Sequence, residues 1–175
     1  DGTPLEYILA KAVFMGLQLE CDPAALIPRA ETELLASVAL ELIRRKQARQ
    51  SHVTVLDMGT GSGNLAVALA VNTRNVTIVA SDVSPSAFEL AKRQIANFKV
   101  QDRVRVFCGD LYEPVIEAGY AGQIDVLVCN PPYLPTGTLK KLATEIIEHE
   151  PVVALDAGPY GINIYRRLLS GAPEL

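Results

Sequence analysis

Residues 55–64 read VLDMGTGSGN, and the fold turns on how they are interpreted. Val55 and Leu56 belong to an apolar run that starts in "HVTV". Gly59, Gly61 and Gly63 follow at alternate positions, and "NLAVALAV" (64–71) opens directly after them with helical character. Glycine supplies positive φ and lets backbones approach closely, so the stretch reads as strand, tight turn, helix. Such a turn sets a helix N-terminus at the end of a strand, where a polar or anionic ligand group is favoured. A tight turn with no ligand is the plainer reading. The dinucleotide fingerprint is G-x-G-x-x-G. Here the spacing is G-x-G-x-G, with Asp57 two residues ahead, and no Lys follows to make a phosphate-gripping P-loop.

Downstream the same rhythm repeats. "NVTIVASD" (75–82) reads as a strand, "PSAFELAKRQIANF" (85–98) as a helix begun by Pro85, and "DRVRVFCGD" (102–110) as a strand. "PVIEAGY" (114–120) is a short helix or turn and "QIDVLVCN" (123–130) a strand. "TLKKLATEIIEH" (138–149) and "GINIYRRLLS" (161–170) are helices. Strands alternating with helices imply an α/β fold whose Rossmann-like parallel sheet carries helices on both faces. Four such strands are counted. A fifth should follow the last helix, so the sheet is expected to be partial, cut short at its C-terminal side. Upstream, "TPLEYILAKA" is a weak helix, "VFMGLQLEC" (13–21) a small hairpin around Gly16, and "ALIPRA" breaks at Pro28. A long helix runs from about Glu31. The expected division is a helix-and-hairpin extension over 1–30 and a ligand-binding domain over 31–175.

The bulk properties narrow the function classes. The 175 residues are 49% hydrophobic and 21% charged, with a net charge of −4, which permits a globular core. The acidic balance argues against direct nucleic-acid binding, which needs clustered Lys and Arg. Arg44, Arg45, Lys46 and Arg49 lie at a predicted helix end, where cations are favoured anyway. Cys21, Cys108 and Cys129 are far apart and read as reduced, mostly buried thiols of a cytoplasmic protein. The two histidines are isolated, so no metal site is expected. No signal peptide and no membrane span are read.

Three further strand ends carry polar groups. Asp82 ends the second strand, 25 positions after Asp57. An acid about 20 residues on accepts ribose hydroxyls in nucleotide binders. Asp110, in "GDL", can accept the exocyclic amine of an adenine. Strand-end acids also cap following helices, and Asp82 precedes Ser84-Pro85. The fourth strand leaves through "CNPPYLP" (129–135). Pro131 biases Asn130 toward extended geometry, and Pro131 and Pro132 lack N–H groups. The corner therefore offers acceptors: the Asn130 side-chain oxygen and the Pro131 carbonyl. Tyr133 adds a flat face. That set suits a planar NH₂ group, held so that its lone pair tilts out of plane toward an incoming carbon, with most of the rate coming from positioning. A Pro-rich loop that merely ends a strand is the alternative.

Together "VLDMGTGSG", Asp82, "GDL" and "NPPY" resemble the class I methyltransferases that use S-adenosylmethionine. "PLEYILA", "FMGLQL", "LIPRAETELL", "NPPYLP" and "EPVVALDAGPYGINIYRRLL" resemble the protein-(glutamine-N5) methyltransferases in particular. The resemblance implies methylation of the glutamine in the Gly-Gly-Gln loop of peptide-chain release factors. It implies that Gly59, Thr60, Gly61 and Gly63 cradle the methionine part of the cofactor, with Asp57 toward its amino group. Asp82, beside Val83, would hold the ribose, and Asp110 and Leu111 would flank the adenine. Asn130, Pro131 and Pro132 would orient the amide and Tyr133 would stack. Phe14, Pro28 and Arg29 would close the pocket, with Glu31 and Glu33 nearby unless they serve only the helix dipole.

Ala30 and Pro159-Tyr160 depart from the family's usual Pro and Asp, which bears on substrate detail. The family's N-terminal helical domain, and the last strands of its sheet, have no counterpart in these residues. A ribosomal-protein glutamine, an adenine amine of DNA or RNA, a nicotinamide oxidoreductase and a non-catalytic fragment are the competing readings.

Overall fold

The computed structural model describes residues 2–139, 141–142 and 144–175. A short helix, α1 (Leu5–Leu9), leads into an antiparallel hairpin, β1 (Lys11–Phe14) and β2 (Leu17–Glu20). Met15 and Gly16 turn the hairpin with φ of 51° and 75°, the paired left-handed conformations that match strand twist in a two-residue turn. The hairpin is fastened to the rest of the chain. Gln94 is fully buried; its Oε1 accepts from Glu20 N at 3.2 Å and its Nε2 donates to Glu20 O at 2.7 Å.

Helix α2 (Ala30–Gln47) then buries Thr32, Ala36, Ala39, Leu40 and Ile43, one face of a 3.6-residue period. Four strands follow, β3 (Val53–Met58), β4 (Val76–Asp82), β5 (Val104–Cys108) and β6 (Val126–Cys129), separated by α3 (Asn64–Asn72), α4 (Pro85–Asn97) and α5 (Glu113–Glu117). They pair in the order β5-β4-β3-β6, all parallel. Alternate residues feed opposite faces. Val53 and Val55 join α2 and α3 in the larger core, whereas Leu56 and Met58 meet Val115 and Leu168 on the other side. Burial on both faces is why the strands are near-continuous apolar runs. Ser84 N-caps α4, accepting from Ala87 N, with Pro85 at the first helical position, as its sequence predicts.

The stretch 138–149, expected as one helix, is instead α6 (Thr136–Leu139) and α7 (Thr144–His149), with positions 140 and 143 outside the described residues. Lys141 N and Leu142 N donate three residues back, to Thr138 O and Leu139 O, the tightening that closes a helix end. Helix α8 (Asn163–Gly171) completes the main elements. Of the three free thiols, Cys21 is buried, Cys129 half-buried and Cys108 exposed, so "mostly buried" is corrected at position 108, which ends the sheet's outer strand. Among the described residues no helix is long and apolar enough to cross a membrane, and no group of three His, Cys, Asp or Glu could hold a metal ion.

Register positions the site. Met58 is level with Ser81 on β4 and with Cys129 on β6, and Asp82 is level with Cys108 on β5. The chain therefore leaves all four strands along one edge, at Gly59, Val83, Gly109 and Asn130. The connection order reverses between β3 and β6, which is where open α/β sheets form their ligand crevice.

Candidate active site

A cavity of about 220 Å³ lies over these four exits. On the β3 side, Gly59, Thr60 and Gly61 line it. Gly59 N and Thr60 N both donate to Ser81 O, at 2.8 and 2.9 Å, tying the loop to β4. Gly61 N donates to Asp82 Oδ2 at 2.8 Å.

Two residues expected at the ligand stand behind the loop instead. Asp57 is fully buried and absent from the cavity wall. Its Oδ2 accepts from Thr60 Oγ1 at 2.6 Å and from Ala66 N at 3.1 Å, joining the loop's start to the first turn of α3. Burial pushes its pKa up to about 6; those two hydrogen bonds oppose the rise and the nearby Asp82 adds to it. Gly63, with φ of 80°, precedes α3, and a Cβ there would stand 3.2 Å from Ala91 on α4. It is the close-packing glycine of the loop, not a wall of the cavity.

Asp82 lines the cavity, and its Oδ1 accepts from Ser84 N at 2.9 Å. The helix-capping reading of this acid is corrected: Ser84 is the N-cap of α4, and Asp82 closes the turn that leads into it. A carboxylate has about four acceptor sites, and the N–H groups of Gly61, Ser84 and Val83 occupy part of them. Burial raises its pKa while the backbone donors oppose the rise. Val83 and Asp110 also line the wall, with Asp110 Oδ2 accepting from Arg167 at 2.6 Å. Leu111 adopts φ of 47° and its carbonyl accepts from Ser81 Oγ at 2.6 Å.

On the β6 side stand Asn130, Pro131 and Pro132. Tyr133 faces a second cavity, of about 620 Å³, with Glu31, Leu35 and Leu134. The two cavities share Leu26, Arg29, Thr32, Asn130, Pro131 and Ala154. Asn130 Nδ2 donates to Thr32 Oγ1 at 3.3 Å, leaving Oδ1 as the acceptor. No backbone N–H among the described residues bonds the Pro131 carbonyl.

The corner is braced beyond its prolines. Leu134 bridges in parallel to Asp156, through Leu134 N to Leu155 O at 3.1 Å and Ala157 N to Leu134 O at 2.9 Å. Asp156 Oδ1 accepts from Thr136 Oγ1 at 2.7 Å and Gly158 N at 2.9 Å. Gly161, at φ of 71°, lets the backbone pass where a Cβ would stand 2.6 Å from Tyr133 O.

Around the mouth, Arg29 lines both cavities and pairs with the buried Glu150. Phe14, expected to close the pocket, is 1% exposed within the main core; β1 alternates, and its inward position faces the sheet domain, not the crevice. Glu33 also lies off both cavities, its Oε1 accepting from Met15 N at 2.6 Å. Thr32, Ser81, Glu150 and Asp156 are the site residues that sequence reasoning did not single out. The quoted motifs contain all but Ser81, yet nothing local in them reveals partners 98 or 121 positions away.

The family model described as "Methyltransferase small domain" matches residues 32–164. This chain belongs to that family. It is 39% identical over 174 residues to the release factor glutamine methyltransferase of Thermosynechococcus vestitus, covering 99% of the chain and 58% of that relative. It is 40% identical over 172 residues to that of Geobacter sulfurreducens, covering 98% and 56%. The resemblance read from the motifs thus holds along nearly the whole sequence, although the chain spans a little over half the length of these relatives. Among solved structures, the catalytic domain of human METTL16 in complex with a MAT2A 3′UTR hairpin superposes with a TM-score of 0.67 at 16% identity, covering 89% of this chain and 55% of that one. At that identity the likeness is one of fold, and it bears out the parallel α/β sheet expected from the βα pattern in the class I methyltransferase form that the motif resemblance implied.

Proposed function

We propose that the chain is the catalytic part of an S-adenosylmethionine-dependent N-methyltransferase acting on the side-chain amide of the Gly-Gly-Gln glutamine in peptide-chain release factors. The observation that carries this reading is the shared wall. Asn130 and Pro131 separate a nucleoside-sized crevice from a second, larger cavity, as a transfer between two molecules requires. The relatives' printed names supply the substrate.

The residues present fit the cofactor. Of the charged groups on the crevice wall, Asp110 is paired with Arg167 and Arg29 with Glu150, while Asp82 and Asp156 have no cationic partner among the described residues. Such a wall favours a cationic ligand and repels a pyrophosphate, which also disfavours a nicotinamide dinucleotide. Asp82 would hold the ribose, Asp110 and Leu111 the adenine, and Gly59, Thr60 and Gly61 the amino-acid end. S-adenosylmethionine, when bound, supplies an electrophilic methyl on a sulfonium.

The chain's own residues deal with the amide. Its lone pair is delocalised into the carbonyl, so the nitrogen is a poor nucleophile. Asn130 Oδ1 and the Pro131 carbonyl each accept one N–H, fixing the plane of the group, and Tyr133 covers its face. Positioning of this kind supplies most of the rate. The shared wall holds no strong base, and the amide nitrogen, once alkylated, gives its proton to water. This reading assigns no role to a metal ion. Residues 1–30 are taken as an extension packed on the domain of 31–175, as the Gln94 bonds to Glu20 support, and a cytoplasmic location follows from the substrate.

The test is mass spectrometry of a release factor incubated with the chain and S-adenosylmethionine. One added methyl on the Gly-Gly-Gln glutamine is expected. Methyl found on a ribosomal-protein glutamine or on adenine of RNA or DNA instead would replace the substrate and keep the rest.

A further inference from the structure

We propose that Thr32 is a positioning residue for this reaction: its hydroxyl sets which way the Asn130 side-chain amide faces. The inference rests on the function proposed above and goes one step further, to what makes Asn130 an acceptor at all.

A primary amide is nearly symmetric in shape. Rotated by 180°, Asn130 would present NH₂ to the second cavity, and two donors would then face each other across the site. Neither proline can prevent this, since neither has an N–H to bind Oδ1. Strand β6 fixes the backbone of Cys129 against Met58, and Pro131 restricts Asn130 to extended geometry, but neither fixes the amide.

Among the described residues the one hydrogen bond to the Asn130 side chain comes from α2, where Thr32 Oγ1 accepts from Nδ2 at 3.3 Å. Thr32 is suited to the task. It is 7% exposed, so water competes little. Its N–H is anchored on Arg29 O at 3.0 Å, and a β-branched side chain on a helix has few rotamers. It belongs to the wall common to both cavities. It is not the N-cap of α2, which is Arg29, so the hydroxyl is not needed to start the helix. A hydroxyl can donate as well as accept, and only the accepting arrangement leaves Oδ1 free for a substrate N–H.

The experiment compares wild type, Thr32→Val and Thr32→Ser. Val keeps the shape and removes the acceptor, so Nδ2 faces a methyl group and the productive orientation becomes the unfavourable one. With that bond gone the amide no longer favours the accepting orientation, and kcat should fall about tenfold or more. KM for cofactor should stay within about twofold, with Ser restoring most of the loss. Independently of activity, the Asn130 side-chain NH₂ pair is followed by ¹⁵N–¹H spectroscopy. Val should shift it and speed its exchange with solvent, while Ser keeps it near the wild-type position. An unmoved NH₂ signal in Thr32→Val overturns the proposal, as does a loss that falls equally on cofactor affinity. If wild type methylates no glutamine, the proposed function fails, and the spectroscopic arm still decides the role of Thr32.

Discussion

Two corners of the crevice are rigid by opposite means. At residues 59–63 the chain turns through three glycines at positive φ, held from below by a buried carboxylate that bonds Thr60 and Ala66. At residues 130–135 it turns through three prolines, held from the side by a parallel bridge to Asp156. The first corner sets the positive end of α3 beside the crevice, while the N–H groups of Gly59, Thr60, Gly61 and Gly63 are bonded within the fold. The second strips N–H groups away and leaves oxygens. A helix N-terminus suits the carboxylate end of an amino acid, and a corner of acceptors suits an NH₂ group. On the proposed function, the two cavities divide their labour by the chemistry of these two edges.

The strongest way to break the comparison is at Asn130. Asn130→Ala removes one preorganised acceptor from the shared wall and should lower turnover about a hundredfold or more, by analogy with the loss of one polar group aimed at a reacting centre. Cofactor affinity, measured by titration calorimetry, should change far less, because Gly59, Thr60, Asp82 and Asp110 are untouched. Equal losses in both would make Asn130 a residue of the cofactor corner, and the two corners would no longer have separate tasks.

Much of this was legible in the sequence because it is local. Alternating apolar runs and helices specify the sheet, the glycines specify the first turn, and Asn-Pro-Pro specifies an acceptor corner. Long-range geometry was not legible. Asp57 sits two residues before the first glycine, yet it faces inward, because Leu56, Asp57 and Met58 are all buried on a central strand. Phe14 belongs to a motif near the crevice and still points into the core. Thr32 is an ordinary helix residue until the fold sets it 98 positions away in sequence from its partner. Residues 138–149 have helical composition throughout, and among the described residues three-residue hydrogen bonds after Thr138 and Leu139 mark where they divide.

The glycine corner can be sharpened by separating strain from crowding. Gly59 and Gly63 have φ of 70° and 80°, but a Cβ at Gly59 meets nothing within 4 Å, whereas one at Gly63 would lie 3.2 Å from Ala91. Alanine in the left-handed region costs about 1–2 kcal/mol, and both substitutions should show that cost in chemical denaturation. Gly63→Ala should lose about 1 kcal/mol more, because backbone and Cβ of α4 must shift in a close-packed interior. Gly59→Ala should affect cofactor binding more than Gly63→Ala, since only Gly59 lines the crevice. The opposite ranking would place the ligand on the α4 side of the loop.

The last effect concerns the buried carboxylate beneath that loop. Asp57 has its pKa raised from 3.8 to about 6 by burial, and its Oδ1 has no partner among the described residues. A carboxyl whose folded pKa lies above its unfolded value binds more protons in the native state between the two. Stability therefore falls as pH rises through that window, from about 4 to about 6, and then stays level. The slope contributed by one such group does not exceed about 1.4 kcal/mol per pH unit. Asp57→Asn keeps an oxygen for Thr60 Oγ1 and Ala66 N and removes the titration. The difference in unfolding free energy between the two proteins, followed from pH 4 to 7, should shift in favour of Asn as pH rises, cancelling contributions from every other carboxyl. A constant difference would mean that Asp57 titrates normally and that the glycine corner stands on a charge, not on a buried acid that is costly to ionise.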